Sequence, residues 1–178
     1  MVTAIVVGVG AEAGLGGAVC KRIGRGGLHV FVAGRTPARI EQVAAAVTAG
    51  GGQATAIATD TTVEADVVRL FDRAAASGPI ELVVFNAGSN QMANLVDMEA
   101  AFFENVWRVA CFGGFLVGRE AARRLAPQRC GTVLFTGATG SLRARPPFIA
   151  FASAKAALRA VAQAWRANSA RRGCTWRM

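Results

Sequence analysis

Short apolar runs alternate with longer amphipathic stretches along this chain. The apolar runs are rich in β-branched residues and lie at Ala4–Gly8, Val30–Ala33, Ala54–Ala58, Leu82–Phe85 and Thr132–Phe135. Runs of about four to eight such residues, bounded by turn residues, are typical of strands that are buried on both faces. The pattern predicts parallel strands in the core of the protein.

Helical periodicity occupies the segments between these runs. Apolar residues recur at helical spacing in Gly14–Arg25, Pro37–Ala49, Val63–Ala76, Met98–Leu125 and Phe151–Asn168. Strands that alternate with helices through short connections require right-handed crossovers. The sequence therefore predicts an α/β fold of the Rossmann type, in which a doubly wound parallel sheet lies between two layers of helices.

Length and composition favour one domain. The chain has 178 residues, of which 53% are hydrophobic, and this is enough for one sizeable core. We found no repeat, low-complexity tract or linker, so we expect residues 1–178 to form a single domain. The chain has no run of about 18 apolar residues, and Val2–Val9 lacks a basic leader. We therefore expect a cytoplasmic protein with no membrane contact.

The positions of the cysteine, histidine and charged residues disfavour two classes of protein, metal-binding proteins and nucleic-acid-binding proteins. The cysteines Cys20, Cys111, Cys130 and Cys174 form no CxxC pair, and His29 is the only histidine. We therefore expect no metal site, and we expect the thiols to be reduced core residues. The net charge of +9 comes from dispersed arginines rather than one basic block. Such dispersion is typical of a solvated surface and disfavours a nucleic-acid partner.

The glycine-rich turn after the first apolar run carries the strongest chemical signal. Gly10, Gly14 and Gly16 follow a GxxxGxG spacing between the predicted strand and helix. A glycine at the strand exit would permit a tight turn, Gly14 would let backbone amides approach phosphate oxygens, and Gly16 would let the helix pack closely on the sheet. The spacing predicts a dinucleotide cofactor with its pyrophosphate at the helix N-terminus. The alternative is a glycine turn with a structural role alone.

Several separate motifs resemble the short-chain dehydrogenase/reductase family over essentially the whole chain. Val9–Gly16 resembles the family's TGxxxGxG turn, with Val9 in place of threonine, and Asn86–Gly88 resembles its NAG motif. Asp60, with Thr61 beside it, corresponds to the aspartate that meets the adenine. The resemblance implies an oxidoreductase that transfers hydride between a nicotinamide cofactor and a carbonyl or alcohol substrate.

The turn and the resemblance together imply a set of cofactor-binding residues. These residues are Gly10, Glu12, Ala13, Gly14, Leu15, Gly16, Arg35, Asp60, Thr61, Asn86, Ala87, Gly88 and Lys155. Arg35 follows the second strand, where an acid would bind the ribose 2'-hydroxyl and a base would accept a 2'-phosphate. No acid lies at that strand end, so Arg35 favours NADP(H) over NAD(H). The alternative is a solvated arginine at the start of a loop.

The catalytic positions match the family only in part. Asn105 resembles the family's catalytic asparagine, and Lys155 falls at the lysine of its YxxxK motif, which holds the nicotinamide ribose. Phe151 stands where the family has its catalytic tyrosine, and Ala138 stands where it has its serine. Phenylalanine has no proton to pass to a substrate oxygen.

Three outcomes of these departures remain open. Loss of a general acid costs about 10²- to 10⁴-fold in rate, so the protein is either a slow enzyme or one with another proton source. Thr136, Thr139 and Ser141 are the candidates for a replacement hydroxyl. The third outcome is a non-catalytic NADP(H)-binding protein, or a dimer partner of an active relative. A nucleic-acid-associated role for the basic surface is a further alternative, and it would predict salt-dependent binding to oligonucleotides.

Two expectations concern the chain's end and its partners. The segment Arg171–Met178 resembles the start of the family's sixth strand, after which family members continue into further strands and a substrate-covering segment. We therefore expect a C-terminally truncated sheet with an open substrate pocket. The stretch Met98–Leu125 carries more apolar surface than one sheet face needs. The resemblance implies a homodimer through this helix, whereas the alternative is that its aromatic residues fill the monomer core.

Overall fold

A parallel six-stranded sheet lies at the centre of the computed structural model, which describes residues 1–169 and 175–177, with side chains up to Arg166. The strand order is β3-β2-β1-β4-β5-β6. The sheet therefore grows outward from β1 in both directions and has its topological switch point between β1 and β4. These strands are β1 (Thr3–Val7), β2 (His29–Gly34), β3 (Gln53–Ala58), β4 (Ile80–Phe85), β5 (Thr132–Phe135) and β6 (Thr175–Arg177). This architecture confirms the predicted Rossmann-type fold.

Helices connect the strands and cover both faces of the sheet. They are α1 (Leu15–Arg25), α2 (Pro37–Ala49), α3 (Glu64–Ser77), α4 (Ala100–Trp107), α5 (Gly113–Gln128) and α6 (Ile149–Ser169). The single helix predicted over Met98–Leu125 is wrong in one respect, because a π-helical turn at Arg108–Phe112 separates α4 from α5. Apolar periodicity at this length does not distinguish an i→i+5 turn from an α-helical one.

The core has two parts, one on each face of the sheet. In β1 every residue is buried, and successive side chains enter opposite parts, Ile5 and Val7 on one face and Val6 on the other. The first part is built around phenylalanines such as Phe71 and Phe85, and the second mainly around valines and Ile40. Burial of both faces explains why the strands are continuous apolar runs rather than alternating ones.

The aromatic residues of the α4–α5 stretch are divided between core and surface. Phe112 and Phe115 pack against the core, and the Phe115 ring stacks on Trp165 of α6 at a centroid distance of 6.0 Å. Phe103 and Trp107 instead keep 38% and 37% of their surface exposed. Part of the apolar excess therefore fills the monomer core, and part faces outward.

The continuous helical stretch Ala100–Gln128 is also long and apolar enough, by length and composition alone, to cross a membrane. Leu116, Val117 and Leu125 of that stretch are buried in the core against the sheet. In all, 39% of its most apolar window is buried in the described fold.

Two of the three described cysteines lie in the core as predicted, and one does not. Cys20 and Cys111 are buried, and burial raises the pKa of the Cys20 thiol to about 12. Cys130 is exposed because it follows the end of α5, so its assignment to the core was wrong, and Cys174 lies outside the described residues. In the described part of the chain no group of three or more histidine, cysteine, aspartate or glutamate residues is arranged to hold a metal ion.

Candidate cofactor and substrate site

The tight turn at the end of β1 is made by Gly8. Its backbone has φ +82°, and a Cβ on Gly8 would lie 2.2 Å from the amide nitrogen of Ala87. Only glycine fits both the conformation and the space. Gly8 is thus the glycine at the exit of the strand. Gly10 lies two residues further along, and a Cβ there would meet nothing within 4 Å.

The N-terminus of α1 offers unpaired amides close to this turn. Gly14 is the N-cap residue and provides no side-chain cap, and the first turn of the helix has no acidic residue. The first intrahelical bond runs from Ala18 N to Gly14 O at 3.0 Å, so the three preceding amides have no intrahelical acceptor. A Cβ on Gly16 would lie 3.1 Å from Val9 Cα, which shows how closely α1 packs on the strand exit.

A pocket of about 300 Å³ lies at the carboxyl ends of β1, β2, β3 and β4. The structure brings together on its wall the predicted residues Gly10, Arg35, Asp60, Thr61, Ala87, Gly88 and Asn105. The predicted residues outside that wall are Glu12, Ala13, Gly14, Leu15, Gly16, Asn86 and Lys155. Site residues that follow four strands, β1 to β4, therefore meet at this pocket, and Gly10 belongs to the turn that leads into α1.

Asn86 and Glu12 have contacts of their own in the framework. The Asn86 side-chain amide donates to Gly8 O at 3.2 Å, which ties the end of β4 to the end of β1. Glu12 accepts from the Lys21 ammonium at 3.2 Å. In the structure both side chains hold the turn in place.

Arg35 and Arg39 form a basic edge on the pocket. Arg35 follows β2, and Arg39 lies one helical turn later in α2, so both reach the same wall with Thr36 between them. Both residues are exposed, and neither forms an ion pair with a described residue. This edge offers two guanidinium groups to an anion.

Asp60 and Thr61 close the pocket on the β3 side. The Asp60 carboxylate accepts from both the backbone amide and the hydroxyl of Thr62, each at 2.8 Å. The Asp60 amide donates to Asp66 at 2.9 Å, and this bond lowers the pKa of the Asp66 carboxyl. Thr61 is buried against Gly113, where a Cβ would lie 2.7 Å from the threonine hydroxyl. This loop is thus rigidly held.

Lys155 is buried beneath the pocket. Only 3% of the residue is exposed, and its ammonium donates to Thr136 O at 2.9 Å and to Ala87 O at 3.4 Å. Burial lowers the pKa of the Lys155 ammonium from 10.5 to about 8. A Cβ on Gly88 would lie 3.2 Å from the lysine nitrogen, so only a glycine keeps this approach to the pocket wall open.

Phe151 lies one helical turn before Lys155 on α6. The lysine nitrogen is 5.9 Å from the centre of the Phe151 ring. Phe151 and Ala138 line a second pocket of about 480 Å³. Phe151 and Ala138, which the resemblance aligned with the family's tyrosine and serine, therefore share one wall.

Of the three hydroxyls considered as replacements, two have local partners. Thr136 donates to Phe85 O at 3.3 Å, and Ser141 donates to Ala138 O at 2.7 Å. Thr139 is exposed and lines the second pocket beside Ala138. Thr139 is thus the hydroxyl of the three that faces this pocket.

Asn105 lies on the wall of the first pocket, at an exposed position of α4. The residue of this helical stretch that adjoins Gly88, and through it Lys155, is Ala110 in the π-helical turn. A Cβ on Gly88 would be 3.8 Å from the Ala110 methyl group. Asn105 therefore lines the first pocket directly, whereas Lys155 lies behind Gly88, which is part of the pocket wall.

Sequence reasoning missed several wall residues. Arg39, Ser89 and Gln91 line the first pocket although no motif includes them. The spacing of Arg39, four residues after Arg35 at the start of a predicted helix, is a signal that could have identified it. Ser89 and Gln91 follow the NAG-like segment in a loop, where no periodicity marks the direction of a side chain.

The residues present fit a dinucleotide cofactor. The unpaired amides of α1 suit a pyrophosphate, and the open space at Gly10 leaves room beside them. The switch point between β1 and β4 is the place where open α/β sheets bind such ligands. This arrangement defines a Rossmann-type dinucleotide-binding protein.

Comparison with known proteins defines the family. Residues 3–177 match the short chain dehydrogenase family. The chain therefore belongs to this family, whose members bind NAD(P)(H) and act on small-molecule substrates.

Individual relatives agree with this assignment. Uncharacterized oxidoreductase YuxG of Bacillus subtilis is 34% identical over 151 residues, which cover 83% of this chain and 22% of that protein. Versicolorin reductase 1 of Dothistroma septosporum is 31% identical over 158 residues, which cover 87% of this chain and 59% of that protein. The crystal structure of a short-chain dehydrogenase from Rhodopseudomonas palustris superposes with a TM-score of 0.92 at 35% identity, over 97% of this chain and 81% of that one. The chain thus spans less than two thirds of both curated relatives.

Proposed function

We propose that this chain binds NADP(H) and transfers hydride between the cofactor and the carbonyl or hydroxyl carbon of a small-molecule substrate. The observation that carries the proposal is the convergence of Gly10, Arg35, Asp60 and Gly88 on one pocket at the switch point of the sheet, in a member of the short-chain dehydrogenase family. The nicotinamide supplies or accepts the hydride when it is bound.

The chain's own residues have separate roles in this proposal. The α1 amides and Gly10 receive the pyrophosphate, because the helix N-terminus and its free N–H groups favour an anion. Lys155 reaches the nicotinamide side past Gly88, and its ammonium is held by two carbonyl oxygens. Thr139 donates a hydrogen bond to the substrate oxygen in the position that Ala138 leaves without a hydroxyl. Asn105 orients the ligand from the α4 wall.

The preference for NADP(H) follows from the basic edge formed by Arg35 and Arg39. A 2'-phosphate would accept charge-assisted hydrogen bonds from these guanidinium groups, which have no competing carboxylate in an ion pair. A ribose 2'-hydroxyl would gain no comparable attraction. The Asp60 carboxylate lines the same pocket but forms no ion pair with either arginine, and one of its oxygens accepts two hydrogen bonds from Thr62.

Calorimetric titration with NADPH and NADH tests this preference. We expect Arg35→Asp to weaken NADPH binding by about tenfold or more and to leave NADH binding similar or tighter. Arg25→Gln removes an exposed charge at the opposite end of α1 and serves as the control. Equal affinities of the wild-type chain for NADPH and NADH would contradict the assignment of NADP(H).

A second candidate function, cofactor binding without chemistry, is favoured by Phe151. Its ring adjoins Lys155 in the pocket where the family pattern has a proton-donating tyrosine. A chain of this kind would bind NADP(H), or pair with an active relative, with no turnover. Following the nicotinamide absorbance with a carbonyl panel separates the two functions, because a reductase consumes NADPH and a binding protein does not.

A further inference from the structure

The second pocket differs from the first in its chemistry. Its wall combines aromatic and small apolar side chains with two arginines, Arg143 and Arg145. Phe148 and Phe151 provide the aromatic part, and Ala138 provides a small one. The pocket is therefore suited to a ligand with an apolar body and an anionic group.

No carboxylate among the described residues forms an ion pair with these two arginines. The pocket wall contains neither aspartate nor glutamate, and no aspartate or glutamate follows Glu120 in the sequence. Among the described residues, ion pairs involve Arg69, Arg119, Arg123 and Arg124, whereas Arg143 and Arg145 have no such partner. Their positive potential is thus left for a ligand.

The backbone that carries the arginines is fixed by hydrogen bonds. Arg143 N donates to Thr139 O, and Phe148 N donates to Arg145 O, both at 3.0 Å. Ala93 N donates to Pro147 O, also at 3.0 Å, and joins the loop to the segment that follows β4. A fixed turn presents guanidinium groups at a lower entropic cost than a free loop would.

The two pockets have neighbouring lining residues on the segment that follows β4. Gly88, Ser89 and Gln91 line the first pocket, whereas Asn90 lines the second. A cofactor in the first pocket and a substrate in the second would therefore lie on either side of the same short segment, beside Phe151.

We propose that the second pocket binds the carboxylate of the substrate through Arg143 and Arg145, so that the preferred substrates are oxo acids or hydroxy acids with an apolar body. This inference rests on the proposed function for its carbonyl or hydroxyl group. Guanidinium groups suit a carboxylate because they donate paired hydrogen bonds in one plane. The aromatic walls account for the apolar body.

Matched pairs of ligands test the proposal. Binding of 4-acetylbenzoate and of 4-acetylbenzamide to the NADPH-loaded chain is measured by calorimetry, and the 3-acetyl isomers are compared in the same way. These pairs differ in charge and hardly in shape. We expect each acid to bind about tenfold or more tightly than its amide, and the difference to shrink as salt is added. Equal binding of acid and amide in both pairs would overturn the proposal.

Substitution of the arginines locates the effect. We expect Arg143→Gln and Arg145→Gln each to weaken binding of the acid by about tenfold and to leave binding of the amide unchanged. Arg73→Gln, which removes an exposed and unpaired charge from α3, is the matched control and should change neither. The assignment of these residues would be overturned if the control no longer bound the acid more tightly than the amide. It would also be overturned if both pocket variants still bound the acid more tightly by the wild-type factor.

NADPH titration of the same variants keeps this inference separate from the cofactor proposal. We expect both pocket variants to bind NADPH as the wild-type chain does, because neither arginine lines the first pocket. If the wild-type chain does not bind NADPH, the cofactor proposal fails, and the acid and amide titrations on the chain alone still decide the carboxylate site.

Discussion

At the residue scale, Phe151 and Lys155 are the pair on which the proposed hydride transfer depends. Phe151 and Lys155 are neighbours on α6, and the ring lies 5.9 Å from the ammonium. A phenolic hydroxyl at position 151 would stand near a positive charge, which favours the phenolate and eases proton transfer. A phenyl ring provides no such group.

We expect Phe151→Tyr to raise kcat/KM for carbonyl reduction by about 10²-fold or more, since a positioned general acid contributes about 10²- to 10⁴-fold. Initial rates at saturating NADPH measure the change, and Ala138→Ser in the same background tests the second missing hydroxyl. Phe148→Tyr adds a hydroxyl elsewhere in the same pocket and serves as the control. An unchanged rate with intact NADPH binding would count against Phe151 as the vacated acid position.

Lys155 makes stability depend on pH. Burial lowers its pKa from 10.5 to about 8 in the folded chain, so the folded lysine releases its proton at lower pH than the unfolded one. Between these pKa values the unfolded state binds more protons, and stability rises with pH. Below about pH 8 both states are protonated, and the burial penalty is present in full.

We therefore expect the free energy of unfolding to gain about 2 kcal/mol from Lys155 between about pH 7 and about pH 10. The gain should be absent in Lys155→Met and retained in Lys21→Met, whose ammonium is partly exposed beside Glu12. Urea denaturation at both pH values measures the difference. A parallel pH response of wild type and Lys155→Met would show that the lysine is not the source.

In the turn that joins β1 to α1, a substitution at Gly10 can weaken cofactor binding without destabilising the fold. A Cβ on Gly10 meets nothing within 4 Å, whereas a Cβ on Gly16 would lie 3.1 Å from Val9 Cα and 3.3 Å from the Asn86 side-chain nitrogen. Gly10 therefore has room for a side chain that points to the ligand, and Gly16 has none.

We expect Gly10→Asp to weaken NADPH binding by at least about tenfold, because it places a carboxylate next to phosphate, and to leave the melting temperature nearly unchanged. Gly10→Ala fills the same space without charge and should bind NADPH within a few-fold of the wild-type chain. Calorimetry and thermal denaturation of both variants give the two readouts. Similar losses in both would mean that bulk rather than charge is responsible.

The sequence predicts the strands and helices well because each is a buried or amphipathic segment with its own period. The strand assignments lie within one or two residues of the observed bounds, as at Ala54–Ala58 within Gln53–Ala58. The sequence did not predict the π-helical turn at Arg108–Phe112, because one extra residue in a helical turn leaves the apolar stripe nearly unchanged.

The site is less predictable than the fold. Motifs identified Arg35, Asp60 and Gly88, which follow strands and therefore meet at the carboxyl edge of the sheet. Arg143 and Arg145 were not predicted, because no motif includes them and their place on a pocket wall depends on how the chain folds in three dimensions. The single-domain assignment, the roles of Asn105 and Lys155 and the open, truncated C-terminal side remain predictions.

At the scale of the whole molecule, the exposed aromatic residues of α4 suggest where a second copy of the chain would pack. Phe103 and Trp107 keep 38% and 37% of their surface exposed, while the neighbouring Phe112 and Phe115 pack against the core. We propose that Phe103 and Trp107 pack against a second copy of the chain, because exposed aromatic residues are typical of interface cores.

We expect the wild-type chain to sediment as a dimer, and the double variant Phe103→Glu/Trp107→Glu to sediment as a monomer with its far-ultraviolet circular dichroism unchanged. Val63→Glu introduces the same charge at another partly exposed apolar position and should remain dimeric. Analytical ultracentrifugation at tens of micromolar provides the measurement. A monomeric wild-type chain would rule out this interface.

The hydrogen bond from Ala93 N to Pro147 O joins the segment that follows β4 to the loop that carries Arg143 and Arg145. Gly88, Ser89 and Gln91 line the first pocket, whereas Asn90, Arg143 and Arg145 line the second. A ligand that restrains one piece also restrains the other, so the second ligand loses less conformational entropy when it binds. Such coupling is reciprocal: whatever factor the dinucleotide adds to the affinity for the acid, the acid adds to the affinity for the dinucleotide.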